Sequence, residues 1–159
     1  MEHGPSFPLF VPADRPDRFA KACAAGTDSV IIDVEDAVAP DMKAAVRRIP
    51  QTALPDRSQV RLLLRVNAVG TPWHHDDVAF ARATGFDGVV LPKTDSPDQV
   101  AVLRAALGGG MAVIALIETV AGLAQVEEIA LAADRLAFGS IDFCEDLACA
   151  NDATVLLPV

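Results

Sequence analysis

Positive charge is scarce in this chain of 159 residues: 13 Lys and Arg stand against 22 Asp and Glu, for a net charge of −9. Nucleic acid and anionic membrane surfaces both require a positive patch, so this balance argues against either as a partner. A small phosphorylated ligand stays compatible, because a few local basic residues can serve it. Cysteine is scarce as well. Cys23, Cys144 and Cys149 are odd in number and show no paired spacing, so no disulfide framework is expected and a reducing cytoplasm is the expected compartment. Cys144 and Cys149 lack the nearby His or further Cys that a zinc site needs, and read as small apolar residues. No apolar run approaches the length of a membrane span; the longest, such as 111–117, are far too short. The N-terminus has no basic region leading into an apolar stretch, so no signal peptide is expected.

What is present is the composition of a folded domain, with 52% hydrophobic and 22% charged residues. Short β-like runs alternate with stretches of helical spacing. Strands are expected at 7–11, 29–33, 60–66, 88–91, 111–117 and 136–138. Helices are expected at 16–25, from about 40 to before Pro50, and at 76–84, 97–107 and 123–132. Asp14 and Ser96 are well placed as N-caps and Gly26 as a helix end. Short, apolar strands separated by helices imply parallel strands buried on both faces, in one domain.

Ionisable groups decide which parallel fold this is. Strand two runs into Asp33, Glu35 and Asp36, strand three into Arg65 and Asn67, strand four into Lys93, strand five into Glu118 and strand six into Asp142. Polar groups delivered by nearly every strand to one rim match a (β/α)₈ barrel active site. A doubly wound sheet would place a glycine-rich loop after its first strand, and here that loop is Pro12-Ala13-Asp14-Arg15-Pro16. The expectation is a TIM-type barrel truncated to about six βα units, residues 1–159 forming a single domain without strands seven and eight. Strands one and six would then be open edges, or be covered by a neighbouring chain.

Glu118 and Asp142 leave consecutive strands, which lie about 5 Å apart in a parallel sheet, so both can grip one cation. Two hard oxygen ligands with open positions suit Mg²⁺; the alternative is that each caps a helix or pairs with a Lys. Arg65 can hold a carboxylate or stabilise an enolate oxygen, or form a structural pair with Glu35 or Asp36. The acidic group Asp33, Glu35 and Asp36 needs a nearby cation, or else is a solvated loop. His74-His75-Asp76-Asp77 resembles a metal cluster, but adjacent histidines diverge and the acidic pair suits a helix start. Lys93 is a candidate Schiff-base lysine, with a salt-bridging or phosphate-binding role as the alternative.

The runs Leu9-Phe10-Val11-Pro12-Ala13-Asp14-Arg15-Pro16, Asp33-Val34-Glu35-Asp36-Ala37-Val38, Arg65-Val66-Asn67, Leu91-Pro92-Lys93, Ile117-Glu118-Thr119 with Gly122, and Phe138-Gly139 with Asp142 resemble the citrate lyase β-subunit-like family. Malyl-CoA and citramalyl-CoA lyases belong to it. The resemblance covers essentially the whole chain and implies a trimeric or hexameric TIM barrel that cleaves or forms a C–C bond in 3-hydroxy-acyl thioesters, through an enolate. The thioester partner would be an acyl-CoA or an acyl-carrier protein. By the same resemblance, Mg²⁺ falls on Glu118 and Asp142, substrate binding on Arg65 and Glu118, and the catalytic acidic pair on Glu35 and Asp36 beside Arg65. The family carries an Arg-Ser pair where this chain has Ser6-Phe7, and its members continue past residue 159 through two further strands. Two rival expectations stand beside the lyase: a Schiff-base aldolase using Lys93, and a shortened paralogue acting as a binding or assembly partner.

Overall fold

The computed structural model describes residues 7–49, 51–54 and 60–156. Six strands form one sheet: β1 (Pro8–Pro12), β2 (Ser29–Asp33), β3 (Arg61–Arg65), β4 (Gly88–Leu91), β5 (Ala112–Ile117) and β6 (Arg135–Phe138). They are hydrogen-bonded in chain order, and every neighbouring pair is parallel. Parallel neighbours require crossovers, and helices supply them. In order these are α1 (Phe19–Cys23), α2 (Lys43–Val46), α3 (His74–Thr84), α4 (Pro97–Leu107), α5 (Val120–Ala124), α6 (Val126–Ala132), α7 (Ser140–Leu147) and α8 (Ala153–Leu156).

The two faces of the sheet carry different cores. Under the helices lie Val30, Ile32, Leu62, Leu64, Val89, Leu91, Val113, Ala115 and Ile117, packed with Phe19, Val78, Leu103 and Ile129. The alternate residues Ile31, Leu63, Val90, Ile114 and Leu116 form a second cluster on the opposite face. Period-two alternation with both sets apolar is why these strands read as continuous hydrophobic runs. The second face is concave. A hollow of about 360 Å³ on it is lined by Phe10 from β1 and Phe138 from β6 together with Ile31, Val90 and Ile114, so the first and last strands curl towards one space. The chain is an α/β fold whose six parallel strands form a curled half-barrel.

The element order matches the expectation from the pattern, and the local details differ in instructive ways. The first helix opens as a 3-10 turn (Pro16–Arg18) and becomes α-helical only at Phe19, with no side-chain cap. Asp14 therefore does not cap it, because the N-cap position is Arg15. Ser96 does sit at the N-cap of α4, yet its side chain makes no capping bond. Thr119 does make a capping bond, accepting the Gly122 N–H at the start of α5. The expected helix over 123–132 is two helices, divided at Gln125, whose φ of −118° and ψ of 20° are not helical. Ser6, Pro50 and the end of the tail fall outside the described residues. The cysteines are free, as expected, and Cys144 is buried. Among the described residues no helix is long and apolar enough to cross a membrane.

Candidate functional site

The site grows from the strand register. Asp33 and Arg65 are the last residues of β2 and β3 and are paired opposite each other. Parallel pairing sends both side chains to the same side of the sheet, where Arg65 Nε and Nη2 donate to Asp33 Oδ1 and Oδ2 at 2.9 and 2.6 Å. This two-point contact uses the planar fork of the guanidinium and fixes its orientation. Arg65 Nη1 lies 3.0 Å from Glu35 Oε2 and 3.8 Å from Asp36 Oδ2, and the guanidinium sits 5.1 Å from the ring centre of Phe10. Asp33 and Glu35 are buried and Asp36 is exposed. The acidic loop after β2 is thus an ion-paired structure, and only Asp36 is solvated.

Lys93 occupies the centre. It follows β4 in a left-handed conformation, with φ of 48°. Its backbone N–H donates to Glu118 Oε1 at 2.8 Å, while its ammonium donates to Glu35 Oε1 at 2.9 Å. The same nitrogen lies 3.1 Å from Asp142 Oδ2, 3.6 Å from Asp36 Oδ2 and 3.8 Å from Glu118 Oε1. Glu118 immediately follows β5 and is 3% exposed. Asp142 lies past the end of β6, in the first turn of α7. The turn between them leaves no room for a side chain: a Cβ on Gly139 would lie 2.6 Å from Glu118 Oε2. Gly122 is constrained in the same way, since a Cβ there would meet the Thr94 carbonyl oxygen at 2.3 Å.

Lys43 holds the acidic loop from behind. It is buried and donates to the carbonyls of Val34 and Glu35 at 3.0 and 2.7 Å and to Asn67 Oδ1 at 2.6 Å, with the Trp73 ring 5.0 Å away. Asn67 is in turn bound through its N–H and its side-chain amide by Asp77 Oδ2, at 2.8 and 2.6 Å. The His74 ring Nδ1–H donates to the Asn67 carbonyl at 2.7 Å. The His-His-Asp-Asp run is therefore the start of α3 and braces the site from outside, as its helix-start reading implied. Lys43 escaped the sequence reading, because an isolated Lys on a helix is ordinarily a solvated residue, and Asp77 was read only as part of a helix start.

Charge is unbalanced here. Asp33, Glu35, Asp36, Glu118 and Asp142 surround two contacting cations, Arg65 and Lys93. Burial first, then repulsion from Glu35 and Asp142, lifts the Glu118 carboxyl to about 7 against the lowering effect of Lys93. Burial also raises Glu35, opposed by Lys93 and Arg65. Lys43 is lowered, burial being the main cause. Lys93 is raised, because Glu35, Asp142 and Glu118 outweigh its own burial. A buried carboxylate held so far above its ordinary range is a recurring mark of a functional site.

The residues fit a divalent cation on one direct test: a single positive atom, Lys93 Nζ, stands within 4 Å of both Glu118 and Asp142. Among the described residues no three His, Cys, Asp or Glu side chains converge in a ready-made cage. Two carboxylates with the remaining positions open to water and substrate is the arrangement Mg²⁺ tolerates. Beside the cluster is a cleft of about 340 Å³ lined by Glu35, Asp36, Lys43, Asn67, Trp73 and Lys93.

Known proteins share this arrangement of elements. Residues 6–155 match the model of a family described as HpcH/HpaI aldolase/citrate lyase. A citrate lyase subunit beta-like protein of Mycobacterium tuberculosis is 43% identical over 129 residues, covering 81% of this chain and 44% of that protein. An L-malyl-CoA/beta-methylmalyl-CoA lyase of Cereibacter sphaeroides is 33% identical over 156 residues, covering 87% of this chain and 49% of the lyase. The crystal structure of protein CitE from M. tuberculosis in complex with magnesium, acetoacetate and coenzyme A superimposes with a TM-score of 0.78 at 38% identity, covering 94% of this chain and 53% of that one. The chain spans about half the length of the curated relatives it matches. A match of this extent places the chain in the HpcH/HpaI aldolase/citrate lyase family.

Proposed function

We propose that this chain carries the cation-binding and substrate-orienting part of a Mg²⁺-dependent carbon–carbon lyase acting on a 3-hydroxy-acyl thioester. The observation that carries the reading is the convergence of Glu118 and Asp142 on one positive atom, at 3.8 and 3.1 Å. Family membership supports it, as do a relative crystallised with magnesium and coenzyme A and relatives that are malyl-CoA lyases. In this reading Glu118 and Asp142 are the ligands, the thioester is presented by CoA or an acyl-carrier protein, and the protein is a trimer or hexamer of the cytoplasm. The domain would be the first six units of a longer barrel.

When bound, Mg²⁺ supplies Lewis acidity and neutralises charge on substrate oxygens. The chain's own groups do the rest. Arg65, immobilised by Asp33 and Glu35, would orient a substrate carboxylate and stabilise the enolate oxygen as the C–C bond breaks. A donor already fixed in place costs little reorganisation when negative charge develops on the substrate. Glu35 and Asp36 hold Arg65 and Lys93 in register, and the Glu118 side chain is pinned by the Lys93 N–H. Lys93 as a Schiff-base nucleophile is disfavoured by the same surroundings: carboxylates raise its pKa, and nucleophilic attack requires the neutral amine.

Calorimetric titration with Mg²⁺, alongside assays for release of the CoA thioester product from citryl-, malyl- and citramalyl-CoA, tests the proposal. The unmodified chain should bind Mg²⁺, and Glu118→Gln and Asp142→Asn should each abolish binding while remaining folded. Titration without heat from the unmodified chain would remove the metal reading. Binding of neither Mg²⁺ nor acyl-CoA would favour the binding or assembly partner.

A further inference from the structure

Lys93 is placed with unusual care for a surface-rim lysine. A β-carbon makes the left-handed region costly, and few residues other than Gly and Asn occupy it readily. Lys93 nonetheless has φ of 48°. That conformation does two things at once: it aims the backbone N–H at Glu118 Oε1 and brings the ammonium into the middle of Glu35, Asp36, Glu118 and Asp142. A glycine would relieve the backbone but would leave four carboxylates facing one another, with Arg65 against Glu35 and Asp36 and Lys43 behind the loop. The side chain is 37% exposed and borders the cleft lined by Trp73 and Asn67, so the ammonium has somewhere to go.

We propose that Lys93 is a removable counter-cation: its ammonium holds the carboxylates of Glu118 and Asp142 together in the metal-free protein and must withdraw before a divalent cation can be gripped by them. This rests on the reading of Glu118 and Asp142 as the ligands. Lys93 is accordingly a positioning residue that sets metal affinity. Two positive charges cannot share a space a few ångströms across without strong repulsion. In the metal-free state the lysine lowers the repulsion among the acids. In the loaded state it is a competitor, so the affinity for metal is weaker than the two carboxylates alone would produce. Once displaced towards the cleft, the ammonium lies beside Glu35 and Asp36, where it can meet an anionic group of the substrate.

The test is Mg²⁺ titration of the full chain with Lys93, with Lys93→Met and with Lys93→Asn, the last chosen because asparagine tolerates the left-handed backbone. Removing the charge should tighten Mg²⁺ binding roughly tenfold or more and lower the metal-free melting temperature, with saturating Mg²⁺ restoring most of the loss. A variant that binds Mg²⁺ no more tightly than the unmodified chain overturns the proposal while leaving the metal site intact. Absence of binding in all three proteins overturns the metal site and this proposal together. Should neither variant fold, acylation of Lys93 by an N-hydroxysuccinimide ester decides the matter in the unmodified chain, read by mass spectrometry. Mg²⁺ should raise that rate several-fold, and an unchanged rate overturns the proposal.

Discussion

Gly139 shows how narrowly a single residue controls this site. Its backbone has a negative φ, so conformational freedom is not the reason for glycine there. The reason is space: a methyl group would overlap the carboxylate of Glu118 at 2.6 Å and its Cβ at 2.9 Å. Glu118 would have to swing away from Lys93 and from Asp142. Gly139→Ala should therefore weaken Mg²⁺ binding at least tenfold, while costing only about 1–3 kcal/mol of stability, in the usual range for overpacking. Calorimetry against a urea melt separates the two effects; unchanged affinity would show that Glu118 is not a ligand. At the same scale, Arg65 was legible as a candidate because a guanidinium ends an apolar strand there, a structural pair with Glu35 or Asp36 being the alternative reading. Its bidentate partner was not. Asp33 looked like one of three mutually repelling acids, and only the pairing of β2 with β3 makes it the residue that orients Arg65.

At the scale of elements, the six strands were readable because each is a short apolar run that fills both faces of the sheet. The helix starts were less so. Asp14 and Ser96 carry good capping side chains, but the first helix tightens into a 3-10 turn and Ser96 makes no capping bond. The most consequential element is the shortest helix with a buried charge. Lys43 in α2 joins the loop after β2 to the end of β3, through the Val34 and Glu35 carbonyls and Asn67. Lys43→Met keeps the length of the side chain but leaves Asn67 Oδ1 buried without a donor, while the Val34 and Glu35 carbonyls keep the Asn67 side-chain amide and the Val38 N–H. One such orphan costs about 1–3 kcal/mol, so chemical denaturation should record a loss of about that size. In a double-mutant cycle Lys43→Met and Asn67→Leu should couple strongly; additive losses would mean that the two loops are held independently.

At the scale of the whole molecule, the half-barrel has two open strands. Phe138 in β6 and Leu9 and Phe10 in β1 are exposed, and the apolar hollow between these strands is bordered by both. Unpaired edges beside apolar surface favour strand addition between chains. Sedimentation velocity should therefore reveal self-association of this chain at micromolar concentration. Charging the edges with Leu9→Lys and Ala137→Lys should shift it several-fold towards monomer; an unchanged distribution would mean that association does not use the edges.

The order of βα units, the choice of a barrel-like sheet over a doubly wound one, and the candidate residues Arg65, Glu35, Asp36, Glu118 and Asp142 were read from the sequence alone. Apolar periodicity and the polar residue that ends each strand are local properties, written within a few positions of one another. What the tertiary structure decided is how those residues meet. Lys93 contacts Glu35 from 58 positions away and Glu118 from 25, and Asp142 joins them from a helix rather than a strand. Electrostatic partnership depends on distance in space, and in a parallel sheet that distance is set by register and crossover, which no single segment of the chain encodes.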